Sequence, residues 1–165
     1  MSPAPRRAAL STFAGVARRF ERKGERDGVL VVDDYAHHPT EVSATLGAAR
    51  QAYPERRLVV LFQPHLFTRT RDQAAGFGAA LLAADAVYVL PVYPSREAPI
   101  PGVTARLVSD AARTRGHRSV VDLDVRSEVV ARLRDELKEG DLLVTMGAGD
   151  VNRLGEEFLG TGGPA

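Results

Sequence analysis

Cysteine is absent from the 165 residues. That excludes a disulfide framework, a thiolate metal site and a cysteine nucleophile. Lysine occurs only at Lys23 and Lys138, and neither follows a G-x-x-x-x-G-K-[ST] loop. The chain therefore has no P-loop to cradle nucleotide phosphates and is not expected to hydrolyse ATP by itself. No apolar run reaches the length needed to cross a bilayer. Met1–Arg7 carries charge with no apolar stretch behind it, unlike a secretory signal. A cytoplasmic location with no membrane partner is expected. No sign of charge dominates, with 22 basic and 21 acidic residues and a net charge of +1. Such a balance gives no global attraction to nucleic acid. Internal repeats and low-complexity tracts are also missing.

What is present suits one globular domain: 44% apolar and 26% charged residues. The charge is unevenly placed, +5 over residues 1–26 and −4 over the rest. The basic segment reads as a solvated hairpin, or alternatively as a contact surface for a neighbouring domain or an anion. Short β-branched runs alternate with helical patterns about every thirty residues, the signature of βαβ units. Strands are expected at Val29–Asp33, Leu58–Phe62, Ala86–Leu90, Val120–Leu123 and Leu142–Met146. A hairpin strand at Arg18–Arg22 precedes them across the turn-rich Lys23–Gly28. Val42, Leu46, Ala49 and Tyr53 share a helix face behind Pro39, as do Val129, Val130, Leu133 and Leu137 later on. Phe77, Leu81 and Ala84 mark another such face, and Val151, Leu154 and Phe158 a closing helix. Gly116 and Gly140 are expected to stop helices. The expected fold is α/β: a Rossmann-like three-layer sandwich whose six-stranded sheet is mostly parallel, with one antiparallel edge strand. Residues 1–9 are expected to be a linker or disordered, 10–160 the domain and 161–165 a frayed tail.

Open α/β sheets bind ligands beyond the carboxyl ends of their strands. Chemistry-bearing residues gather at those ends: Asp33-Asp34-Tyr35-Ala36-His37-His38, then Gln63-Pro64-His65 with Thr68-Arg69-Thr70-Arg71-Asp72. Tyr93-Pro94-Ser95-Arg96-Glu97 and Gly147-Ala148-Gly149-Asp150 follow. One site at one edge is expected, while His117 is expected at the surface. The two aspartates could grip a ribose or a cation-bound water, or simply accept backbone N–H groups. His37 and Glu41 can meet at i, i+4. Adjacent His37 and His38 diverge, so zinc would need a third ligand such as Asp34 or His65, and no metal site is expected. Arg69 and Arg71 start a helix and could hold a carboxylate or phosphate, or pair with Asp72. Gly147-x-Gly149 meets Asn152 where a dinucleotide fingerprint has its third glycine, so it reads as a tight turn with close backbone approach.

The run Asp33-Asp34-Tyr35-Ala36-His37-His38-Pro39-Thr40-Glu41 resembles a signature of the Mur ligases, within them the members that act on L-alanine. Phe62–Thr70, Tyr93 with Glu97–Ile100, Met146–Asp150 and Phe13–Phe20 extend the resemblance over roughly residues 10–159. It implies the third of three domains, the Rossmann-like one that receives the amino acid. The implied activity is ATP-dependent joining of L-alanine to UDP-N-acetylmuramate in bacterial peptidoglycan precursor synthesis. ATP and Mg would be bound by the complete enzyme and neither tightly by this domain alone. The partners would be the first two domains and the three substrates. His37 and His65 are implied as catalytic, Tyr35, His37, His65 and Arg69 as substrate-binding, and Asp34, Gly147 and Gly149 as nucleotide-binding. Leu66 stands where many members carry arginine, which shifts weight to Arg69. From the residues alone, a free-standing metal-dependent hydrolase or nucleotide-binding module, or a purely structural interaction domain, remains open.

Overall fold

The computed structural model describes residues 17–161. The expected linker at 1–9, the start of the domain at 10–16 and all but Thr161 of the expected tail lie outside that range. The chain opens with β1 (Glu21–Arg26) and β2 (Val29–Asp34), followed by α1 (Pro39–Ala52), β3 (Arg57–Phe62) and α2 (Phe67–Ala80). Then come β4 (Ala86–Val89), α3 (Arg106–Thr114), β5 (Val120–Asp122), α4 (Arg126–Glu136), β6 (Asp141–Met146) and α5 (Val151–Leu159). The strands form one sheet in the order β1-β2-β6-β3-β4-β5. β2, β6, β3, β4 and β5 run parallel, and β1 pairs antiparallel with β2 at one edge. The chain is thus α/β with one antiparallel edge strand, as the sequence pattern implies.

Alternate residues of each strand explain the layers. Leu30, Val32, Leu58, Val60, Phe62 and Val144 join a core with Val42 and Leu46 of α1, Phe77 of α2 and Val108 of α3. Val31, Val59, Leu61 and Leu143 face the opposite core with Val129 and Leu133 of α4 and Leu154 and Phe158 of α5. β2 and β6 are buried along their whole length, and both read as largely apolar runs broken by the buried Asp33 and Asp34 in one and Asp141 and Thr145 in the other.

Three expectations need correction. The hairpin strand is Glu21–Arg26, not Arg18–Arg22. Asp27 and Gly28 alone make the turn, both at positive φ (51° and 76°), as a two-residue I′ turn demands. Gly24, at φ 151°, sits at a register shift inside the strand, and Arg18 and Phe20, at φ 58° and 49°, cannot extend it backwards. Gly140 does not stop α4, which ends at Glu136; it turns the chain into β6 at φ 90°. His117 is half-buried, its Nδ1 accepting the Ser119 amide at 3.2 Å.

Gly78 lets α2 and α3 touch backbone to backbone. A Cβ there would lie 2.6 Å from the Ala111 carbonyl carbon and 2.7 Å from the Ala112 nitrogen. Gly78→Ala gains about 1 kcal/mol of helix propensity, but it must push the helices apart. A net loss of about 1–3 kcal/mol is expected from overpacking. Denaturant titration of this chain checks it, and an unchanged or raised midpoint would show that the helices slide freely.

Candidate functional site

Every strand end named in the sequence reading converges at one edge. At the end of β2 both carboxylates turn inward. Asp33, 1% exposed, accepts the Thr145 hydroxyl at 2.6 Å and Arg18 Nε at 3.0 Å. Burial pushes its carboxyl up, against the lowering effect of Thr145 and Arg18. Asp34 accepts the Ala36 amide on one oxygen and the Phe20 amide on the other, each at 2.8 Å. The two aspartates thus act first as acceptors for their own chain. The turn they brace presents Tyr35 and His37 and feeds into α1 through Pro39, with exposed His38 as N-cap residue.

His37 Nδ1 lies 2.9 Å from the Tyr35 carbonyl, so it donates there and leaves Nε2 as the basic nitrogen when the ring is neutral. The His37 amide also donates to Glu41 at 3.0 Å, fulfilling the i, i+4 expectation. Burial would raise the Glu41 carboxyl, yet the His37 amide bond and the neighbouring His37 and Arg19 charges carry it below its ordinary value.

β3 runs into Gln63, whose Nε2 donates to Asp150 at 3.2 Å. Its buried Oε1 has no partner among the described residues. His65 then forms an isolated parallel bridge with Tyr93. Four rings line up from this geometry. Tyr35 and His37 lie 5.2 Å apart edge to face, His37 and His65 6.0 Å apart, and His65 stacks on Tyr93 at 5.8 Å and 13°.

Arg69, in the first turn of α2, places Nη1 3.3 Å from His65 Nδ1. An arginine can only donate, so this contact needs a neutral His65 with its proton on Nε2. Consistently, burial first, then the charges of Arg69 and His37, push His65 below its ordinary value, with Glu97 opposing. Among the described residues no carboxylate lies within ion-pair distance of Arg69. Arg71, in contrast, pairs with Asp72 at 2.7 Å at the surface, the blander of the two roles considered for it. Glu97 takes the anion position at the start of α2, accepting the Thr68 amide at 3.0 Å and the Thr68 hydroxyl.

The glycines of the β6 turn are explained by the chain itself. A Cβ on Gly147, which has φ 148°, would sit 2.7 Å from the Gln63 carbonyl oxygen, and one on Gly149 would sit 2.7 Å from the Tyr93 ring. Tight turning and close backbone approach are therefore both present. A cavity of about 230 Å³ opens beside them between Gln63, Tyr93, Arg126 and Asp150. Among the described residues no group of three or more His, Asp or Glu side chains is arranged for a metal ion. Arg18, Gln63 and Tyr93 belong to this site without having been singled out. Tyr93 and Gln63 stood in strand-end loops, whereas nothing separated Arg18 from the other basic residues of its segment.

The lowered His65 value has a stability sign. Between its folded value and the ordinary 6.5 the unfolded chain binds more protons, so stability falls as pH drops below about 6.5. Titration of the His65 ring by NMR is expected to give a midpoint below 6.5, moving upward in Arg69→Met. A midpoint unmoved by that substitution would separate the two groups electrostatically.

A parallel α/β sheet with a cationic, histidine-lined cleft at its carboxyl edge defines a ligand-binding domain of the doubly wound class. The profile described as "Mur ligase, glutamate ligase domain" matches residues 18–149, and the chain belongs to that family. It is 50% identical over 151 residues to the UDP-N-acetylmuramate–L-alanine ligase of Desulfosudis oleivorans, covering 92% of this chain and 33% of that protein. It is 48% identical over 152 residues to the enzyme of the same name from Streptomyces avermitilis, covering 92% and 32%. The solved UDP-N-acetylmuramate-alanine ligase of Thermotoga maritima superposes with a TM-score of 0.80 at 28% identity, over 97% of this chain and 33% of that one. A separately solved domain of a putative ligase from Haemophilus ducreyi aligns at TM-score 0.65 and 25% identity, over 86% of this chain and 98% of its own length. The chain thus spans about a third of the length of the curated relatives it matches.

Proposed function

We propose that the chain is the amino-acid-receiving domain of an ATP-dependent ligase that joins L-alanine to UDP-N-acetylmuramate in the cytoplasm. The observation that carries this reading is Arg69: a guanidinium beside the two histidines, with no carboxylate of its own among the described residues. A planar fork of this kind suits a substrate carboxylate. The names of the half-identical relatives supply the substrates, and they favour a ligase over a free-standing hydrolase.

In this reading ATP phosphorylates the sugar carboxylate, giving ADP and an acyl phosphate. The amine of L-alanine attacks the acyl carbon, the N–C bond forms and phosphate leaves with the C–O bond electrons. The amine must lose a proton, and His37 is assigned to take it on Nε2, because its Nδ1 is engaged with the Tyr35 carbonyl. His65 steers Arg69 toward the carboxylate, and Tyr35 walls the pocket. Leu66, half-buried at the start of α2, supplies no second charge. Asp34 with Gly147 and Gly149 would border the nucleotide. Mg would neutralise phosphate charge and is assigned, with most of the phosphate contacts, to the second domain of the complete enzyme.

The complete enzyme is expected to release ADP only with both UDP-N-acetylmuramate and L-alanine present. This chain alone is expected to be inactive and to bind ATP weakly. Turnover with a different amino acid but not with L-alanine would overturn the substrate assignment. Micromolar ATP binding by this chain in calorimetry would overturn the division of labour.

A further inference from the structure

Among the described residues, the segment leading into β1 touches the site chiefly through Arg18, with the Arg19 guanidinium farther off at 5.8 Å from the Tyr35 ring centroid. We propose that Arg18 is a positioning residue, which fixes the Tyr35 ring and the Gly147–Gly149 turn relative to each other. The role at the site rests on the ligase reading; the positioning itself does not.

Arg18 uses all three of its nitrogens. Nη2 donates to the Gly147 carbonyl at 2.7 Å, Nη1 to the Gly149 carbonyl at 3.0 Å and Nε to Asp33 at 3.0 Å. Its guanidinium carbon stands 4.9 Å from the Tyr35 ring centroid, a cation–π distance. Its carbonyl accepts the Tyr35 amide at 2.7 Å, and its amide donates to Glu21 at 2.8 Å. The residue is held at φ 58°, a conformation that a side-chain-bearing residue adopts only when its surroundings dictate it. Neutralising Asp33 needs one N–H. The other two bonds reach carbonyls 129 and 131 residues away in the chain, so their effect is placement. A lysine ammonium carries the charge but not the fork that spans both carbonyls. The chain before β1 therefore cannot shift without moving one wall of the cleft or its glycine turn.

Two variants of this chain test it, Arg18→Lys and Arg18→Met. In amide correlation spectra, Gly147, Gly149 and Tyr35 are expected to shift in Arg18→Lys, while remote Gly102 and Gly116 stay in place. In the complete enzyme kcat/KM for L-alanine is expected to fall about tenfold or more, as misplacement of site groups typically costs. Wild-type shifts at Gly147, Gly149 and Tyr35 in folded Arg18→Lys would overturn the proposal, leaving Arg18 as a charge for Asp33 alone. Unchanged kcat/KM would equally overturn its role at the site. Should neither variant fold, the unmutated chain decides: separately resolved, slowly exchanging Arg18 Nη protons are expected, and averaged ones overturn the placement. Failure of the unmutated complete enzyme to use L-alanine would sink the ligase reading and leave the spectroscopic result standing.

Discussion

If the proposed reading holds, Arg69→Ala in the complete ligase is expected to raise the apparent KM for L-alanine about 30- to 700-fold, equivalent to about 2–4 kcal/mol. L-Alanine offers an amine, a methyl group and a carboxylate, so a fixed cation has to anchor it. Arg69 is half-buried and bonded to His65, which orients its fork without neutralising it. Leu66 provides no substitute. Arg69→Lys keeps the charge and loses the two parallel N–H bonds, so it should recover only part of the loss. The KM for ATP should hardly move. Steady-state kinetics decide the matter: an unchanged alanine dependence would reduce Arg69 to a helix-end charge.

Asp34→Ala is expected to lower the stability of this chain by roughly 3–5 kcal/mol, because two charge-assisted bonds to buried or half-buried amides disappear together. The Phe20 amide loses one oxygen and the Ala36 amide the other. Asp34→Asn should not restore the difference, since its NH2 group must face one of the two N–H donors. Chemical unfolding measures this directly. A loss below about 1 kcal/mol would mean that water replaces the carboxylate, and the case for Asp34 as a nucleotide contact would gain accordingly.

Periodicity made the sheet legible. Val29–Asp33 and Leu142–Met146 match β2 and β6 to within a residue, because central parallel strands are apolar on both faces. The hairpin was harder: Gly24 and Glu25 look like turn residues, and only pairing with Val31 and Leu30 keeps them in a strand. The loops at the strand ends announced His37, His65 and Arg69 as neighbours. They could not announce that Asp34 serves Phe20, or that Arg18 leaves its basic companions to bridge β2 and the β6 turn. Asp34 and Phe20 sit 14 residues apart on either side of the hairpin, and Arg18 sits 129 and 131 residues from the carbonyls it reaches, so no local pattern encodes either pairing.

β6 lies between β2 and β3, which have no hydrogen bonds to each other. The ribosome therefore delivers the middle of the sheet last. Until residue 146 has left the exit tunnel, β2 and β3 each keep a bare backbone edge, a template for stray pairing with another nascent chain. The site has the same timetable, since Gly147 joins Asp34 and Gln63 only when that strand slots in. Any product of synthesis halted before β6 would hold its histidines and Arg69 on loops with no sheet edge to order them, and its natural fate is capture by chaperones or proteases.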